Sequence, residues 1–244
     1  MKKFYFSGID RYKFVKWLAD EDACGMVVAD VATQPGMIRA YADFPNVPLA
    51  LDSGAFGGKM TLDKYMKVLD KVGDRFEWYA NLDVIGNQVE SDLNYNTLIS
   101  NGYEPVWVYQ VDGGAPLDYL TSMAQYFADR GKIIAIGGLV PHLKNGNLRP
   151  MIDAVAATRG TGAKIHFFGL SMHDMLIQMS PLPYFYSADS QLWLIGIKSN
   201  VILNHYSQRI NAAQFKFTEE AKSKNNIRVI KEWVNAKTNQ QLGF

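Results

Sequence analysis

Eight short runs of apolar, β-branched and aromatic residues recur along this chain, near 4–8, 25–31, 48–53, 76–84, 104–111, 132–138, 164–169 and 184–189, with helix-like stretches between them. That alternation is the pattern of repeated βα units, because parallel strands need a crossover, usually helical, between each pair. Eight strands is the count of an α/β fold of the (β/α)8 TIM-barrel type, and 244 residues is a size such a barrel reaches as one domain. An open doubly wound sheet has the same periodicity. No glycine-rich dinucleotide fingerprint follows the first run, and this favours the barrel. A 48% apolar content is ample for one core.

The stretches between the runs carry helix signals of their own. Thr61 is placed to cap a helix whose apolar and charged residues alternate at helical spacing up to Asp70. Leu117 to Arg130 and Leu148 to Arg159 read the same way, each ending at a glycine suited to the C′ position. A shorter helix around His173 to Met179 is halted by Pro181 and Pro183, and a last one runs from about Thr218 to Ala236. The economical division is a barrel over 1–197 and a basic C-terminal helical extension over 198–244, packed on the barrel.

Net charge is +1 overall, but residues 198–244 hold eight basic and three acidic residues, leaving the rest of the chain at −4. A basic segment on a neutral protein hints at a polyanionic partner, and it equally describes a solvated amphipathic helix. The single cysteine, Cys24, excludes an internal disulfide and a cysteine zinc cluster, which suits a reducing compartment. The apolar stretch at the N-terminus breaks at Ser7-Gly8, too short for a secretory segment, and no run approaches the roughly 20 apolar residues of a membrane span. A cytoplasmic protein without membrane partners is expected. Four histidines, His142, His166, His173 and His205, lack helical i, i+4 pairing, so no metal site is expected.

Chemistry in such folds gathers where strands end and loops begin. Asp30, Asp52, Asp83, Gln110, Asp112, Gly137-Gly138-Leu139, Gly169 and Asp189 all sit at the ends of the apolar runs. A lone aspartate there is most simply a helix N-cap, the reading kept for Asp30. Asp52 in Leu51-Asp52-Ser53-Gly54-Ala55-Phe56 and Asp189 in Ser187-Ala188-Asp189-Ser190 are flanked by small residues that leave the backbone approachable. Several carboxylates in one mouth cannot all ionise cheaply, which drives their pKa values apart and separates acid from base roles. Gly137-Gly138 either makes a tight turn or lets a planar ligand lie on bare backbone, and Phe56 and Phe168 are either core or a clamp for a flat ring.

These residues also carry a resemblance. Asp52-Ser53-Gly54-Ala55-Phe56 resembles the Asp-Ser-Gly-Gly-aromatic segment of the tRNA-guanine transglycosylases, barrel enzymes that exchange guanine for a 7-deazaguanine. Asn81-Leu82-Asp83, Tyr109-Gln110 before Gly113-Gly114, Gly137-Gly138-Leu139, Phe168-Gly169 and Ser187-Ala188-Asp189 are similar to further family motifs in the same chain order. The family's zinc motif of three cysteines and a histidine is absent, the acid after Gly-Gly-Leu is replaced by Val140-Pro141-His142, and the chain is shorter. In these respects it looks more like the zinc-less DpdA proteins of bacteria and bacteriophages, which place 7-deazaguanines in DNA.

The resemblance implies Asp189 as nucleophile and Asp52 as general acid/base. It further implies Ser53, Asp83, Gln110, Gly137, Gly138 and Leu139 around the base, with Phe56 and Phe168 stacking on its faces. The implied partners are a DNA guanine nucleotide, flipped out or single-stranded, and a free 7-deazaguanine base, with no cofactor; a homodimer is left open. Lys198 and Arg209 are the expected phosphate contacts. The competing expectations are a transglycosylase acting on tRNA, a hydrolase built on the same carboxylate pair, and an idle nucleic-acid-binding barrel.

Overall fold

Alternating strand and helix signals are realised as an eight-stranded, all-parallel sheet that curls on itself, wrapped by helices. The structure is a computed structural model, and it describes residues 2–170, 173–206, 208–214 and 217–235. The strands are β1 (Lys3–Ile9), β2 (Cys24–Val28), β3 (Leu49–Asp52), β4 (Trp78–Tyr79), β5 (Trp107–Gln110), β6 (Ile133–Gly137), β7 (Lys164–Phe167) and β8 (Phe185–Ser190), in the sheet order β4-β3-β2-β1-β8-β7-β6-β5. A single parallel bridge pairs Ala80, just past β4, with Val106, just before β5. Here the Asn81 amide donates to the Val106 carbonyl at 2.9 Å and the Val106 amide to the Tyr79 carbonyl at 2.8 Å.

Two apolar clusters follow from the curl. Tyr5, Met26, Ala50, Trp78, Ala80, Val106, Val108 and Ala135, drawn from β1 to β6 and their flanks, meet on the concave side. The other faces of the same strands pack outward against the helices, in one cluster that includes Phe6, Val27, Leu51, Trp107, Ile136 and Phe167. Alternate residues therefore serve opposite sides of the sheet, as strand geometry requires.

The helices are α1 (Tyr12–Asp20), α2 (Ala29–Ala32), α3 (Pro35–Asp43), α4 (Leu62–Val72), α5 (Gln88–Ser100), α6 (Leu117–Ala128), α7 (Leu139–Lys144), α8 (Arg149–Thr158), α9 (His173–Met179), α10 (Ile195–Ser199) and α11 (Glu219–Asn235). In α4, Tyr65, Val68, Leu69 and Val72 form the buried stripe, and Thr61 Oγ1 accepts from the Lys64 amide, the expected cap. Gly131 and Gly160 adopt positive φ after α6 and α8, the conformation expected of a helix-ending glycine. Two expectations are corrected. The second strand stops at Val28, where Ala29–Ala32 turns into a helix, so Asp30 lies in the first turn of α2 and is not its cap. The fourth strand is only two residues long, because the chain past Tyr79 leaves the sheet after its one bridge to Val106.

After β8 comes a small antiparallel pair, β9 (Val201–Leu203) with β10 (Arg209–Asn211), and then α11. Thr218 Oγ1 accepts from the Ala221 amide and so opens α11; the expected end of this helix at Ala236 lies outside the described residues. α11 contacts α1, α9 and β1, and buries Ile227, Val229, Ile230, Trp233 and Val234. The last helix thus packs between the helices that follow β1 and β7. Contacts of this kind cross position 197/198 throughout. No helix among the described residues is long and apolar enough to cross a membrane.

Candidate active site

Because all eight strands run parallel, their C-terminal ends open on one side of the sheet. There a cavity of about 490 Å³ is lined by residues from the ends of β1, β2, β3, β6, β7 and β8 and from the segment past β4. Asp52, Asp83 and Asp189 all line it, as do Gly137, Gly138, Leu139, Phe168 and Phe56. Two carboxylates 137 positions apart in sequence therefore face the same space.

Asp189 is only 6% exposed and is held by its surroundings. Its Oδ1 accepts from the Gly169 amide at 2.8 Å and lies 3.5 Å from His166 Nε2. Gly169 can present that amide because it has φ +71; a Cβ at this position would fall 2.3 Å from Val140 Cγ2. Asp52 is the last residue of β3, and its Oδ1 accepts from the Gly54 amide at 3.1 Å. Burial pushes the Asp52 carboxyl up to about 7; the Gly54 amide opposes this, and the nearby charges of Asp83, Asp189 and Asp30 add to it. Burial likewise raises Asp83 to about 6.

Ser53 and Gln110 take a different place from the one expected. Ser53 is fully buried and does not line the cavity; its hydroxyl donates to Asp83 Oδ1 at 3.3 Å. Gln110 is 1% exposed, and its Nε2 donates to Asp83 Oδ2. Both residues brace Asp83 from behind, on its two oxygens. The backbone amide of Gln110 is itself held by Gln88 Oε1 at 2.8 Å, and Gln110 Oε1 has no hydrogen-bond partner among the described residues. Gly137 has a packing reason to lack a side chain, since a Cβ there would sit 2.6 Å from Gln110 Nε2. The adjoining Gly138 has φ +77 and starts α7. The glycine pair is thus both a turn and a bare wall of the cavity.

The aromatic pair is not a closed clamp. Phe168 lies on the cavity wall with its ring against His166, centroids 4.6 Å apart, whereas Phe56 stands at the rim and is 80% exposed. Phe56 belongs to a short helical turn, Ala55–Gly57, between two positive-φ glycines, Gly54 and Gly58.

The basic C-terminal segment is largely committed to the fold. Lys224 Nζ donates to Asp20 Oδ2 at 2.8 Å, Arg228 pairs with Glu21 through two contacts at 2.6 and 2.7 Å, and Lys231 donates to the carbonyls of Glu21 and Asp22. These cations neutralise the acidic end of α1, so the charge excess of α11 is spent largely within the fold. Lys216 and Lys237 lie outside the described residues. Lys198 is exposed and donates to Gln191 Oε1 at 3.0 Å, and Gln191 lines the cavity; Arg209 is exposed on β10. A cation not anticipated from sequence, Lys144 at the end of α7, also lines the cavity.

His166, weighed in the sequence only as a metal ligand, stands instead beside Asp189, and His142 in α7 pairs through Nε2 with Oδ2 of Asp112, in the turn after β5, at 2.7 Å. Nothing in local spacing marks either. Among the described residues no group of three His, Cys, Asp or Glu side chains is arranged to hold a metal. Compared with known proteins, the chain matches no family model, and no curated protein matches its sequence.

Proposed function

We propose that this chain is a closed (β/α)8-barrel transglycosylase that replaces guanine in DNA with a 7-deazaguanine through a covalent aspartyl-glycosyl intermediate. The observation that carries the reading is the meeting of Asp52 and Asp189 in one cavity whose walls also include a braced carboxylate, bare glycine backbone and an aromatic ring. The bridge from Ala80 to Val106 and the concave cluster of side chains support the closed barrel.

Exchange of one base for another at C1′ with retention is a double displacement. It needs one carboxylate to attack C1′ and a second group to move protons on the leaving and entering rings. Asp189 attacks C1′; the C1′–N9 bond breaks with its electron pair moving to guanine, which takes a proton from Asp52. The entering base then returns a proton to Asp52 as its nitrogen displaces Asp189. A carboxyl with its pKa near 7 suits this two-way role, because it gives and takes a proton at similar cost near neutral pH. Asp83, fixed by Ser53 and Gln110, accepts from the N–H groups of the base edge, and Gly138 and Leu139 offer backbone groups to its carbonyl side. Phe168 supplies one stacking face, and Phe56 supplies a second from the rim.

A guanine inside a duplex cannot present C1′ to this cavity, so the nucleotide is flipped or single-stranded. Lys144, on the cavity wall, and Lys198, bonded to the cavity residue Gln191, would contact its phosphates. Labelled guanine or a 7-deazaguanine, supplied with DNA and with tRNA in separate reactions, tests the reading. Incorporation into DNA with a denaturation-resistant protein–DNA adduct supports it. Incorporation into tRNA alone, release of reducing sugar without an incoming base, or tight DNA binding without exchange overturns it in favour of the corresponding rival.

A further inference from the structure

His166 is wholly buried on β7, and its two ring nitrogens have different surroundings. Nδ1 is 2.8 Å from Ser187 Oγ, whereas Nε2 has no hydrogen bond and points to Asp189 Oδ1 at 3.5 Å. A register shift between Ile165 and His166 places His166 opposite Ser187 on β8, two residues before Asp189. The remaining walls are the rings of Tyr5, Trp78 and Phe168, at centroid distances of 6.1, 4.8 and 4.6 Å. The Tyr5 hydroxyl turns away to donate to Glu77 Oε2 at 2.7 Å, so the charged group against the imidazole is Asp189.

We infer that His166 is the positioning residue of Asp189: a neutral imidazole, held in its Nε2–H form by the Ser187 hydroxyl, that aims one carboxylate oxygen while leaving the other free to attack. A buried ring nitrogen demands a partner, and Asp189 Oδ1 is the acceptor within reach. Burial disfavours the imidazolium and lowers the His166 pKa, although Asp189 opposes the shift. The neutral ring therefore assigns its one proton. If Ser187 donates to Nδ1, that proton sits on Nε2, facing Asp189. With Gly169 N–H on the same Oδ1, the carboxylate is gripped on one oxygen only. A cation there would quench the nucleophile; a neutral donor orients it at smaller electrostatic cost.

The inference rests on Asp189 being the attacking group, and two measurements separate its failure from a failure of that reading. The first is the single-turnover rate of adduct formation on DNA. His166→Leu lowers it about 10- to 100-fold with DNA affinity unchanged, and His166→Gln, which retains an N–H at similar reach, recovers most of the loss. Equal rates for wild type and His166→Leu, or equal losses in both variants, overturn the inference. The second is the ¹⁵N spectrum of the histidine side chains, assigned by loss of one signal set in His166→Gln. It is expected to report a neutral, Nε2-protonated ring at pH 7 that becomes a mixture of tautomers in Ser187→Ala. An Nδ1-protonated ring or an imidazolium at that pH overturns the inference, whether or not an adduct with DNA is ever formed.

Discussion

The hydroxyl of Ser53 donates to Oδ1 of Asp83 at 3.3 Å, and the amide of Gln110 holds the other oxygen, so two side chains that never reach the cavity set the orientation of one that does. The Ser53 bond also favours the ionised form of Asp83, against the burial that raises its pKa to about 6. Removing the hydroxyl in Ser53→Ala is expected to raise KM for the free base by about 5- to 10-fold, the equivalent of one hydrogen bond, with kcat little changed. An unchanged KM would show that the serine does not support base recognition.

Asp52 makes stability depend on pH in a calculable direction. Its folded pKa of about 7 lies above the ordinary carboxylate value, so between about pH 4 and pH 7 the folded state binds more protons than the unfolded one, and stability falls as pH rises. Asp52→Asn removes this penalty and, under the proposed mechanism, should abolish exchange. The variant is expected to melt about 2–8 °C above wild type at pH 8, corresponding to about 1–2 kcal/mol after allowance for solvent screening, and at a similar temperature at pH 4. Thermal unfolding at the two pH values checks the sign.

Gly169 combines φ +71 with a neighbour, Val140, that a Cβ would meet at 2.3 Å. Gly169→Ala is expected to cost about 1–3 kcal/mol of stability and to displace the amide that holds Asp189, lowering the rate of adduct formation by at least about tenfold. Adding Val140→Ala relieves the collision but not the backbone strain. The double variant should therefore regain part of the stability, a split that denaturant unfolding can measure.

The cations divide into two groups with opposite expected effects. Arg228 is committed to Glu21, whose side chain is largely buried, so Arg228→Ala should leave DNA affinity and its salt dependence unchanged. Lys144→Ala, on the cavity wall, and Lys198→Ala, bonded to the cavity residue Gln191, should each weaken DNA binding and reduce the slope of log K against log salt by about one. Titrations at several salt concentrations distinguish the two groups.

Much of the scaffold is legible in the sequence. Eight apolar runs became eight parallel strands, with the two edge cases explained by local chemistry: the second run gives way to a helix at Ala29, and the fourth leaves the sheet once its bridge to Val106 is made. Asp52, Gly137, Phe168 and Asp189 could be placed at strand ends from the runs alone, since a strand's last residues and its following glycines are local facts.

Charge was less legible than position. The excess of basic residues after 198 is real, yet Lys224, Arg228 and Lys231 face the acidic end of α1, some two hundred positions away in sequence. The cation on the cavity wall, Lys144, stands instead in a six-residue helix that no charge count singles out.

The chain's own periodicity determined the alternation of strand and helix and the placing of carboxylates at strand ends, because side-chain spacing and turn-forming glycines act over a few residues. Tertiary structure alone decided which polar groups face the cavity and which stand behind it. Whether Ser53 or Gln110 reaches a ligand, and which nitrogen of His166 meets Asp189, depends on the curl of the sheet and the register of neighbouring strands. Those contacts join residues far apart in sequence, whose relative positions only the folding of the chain sets.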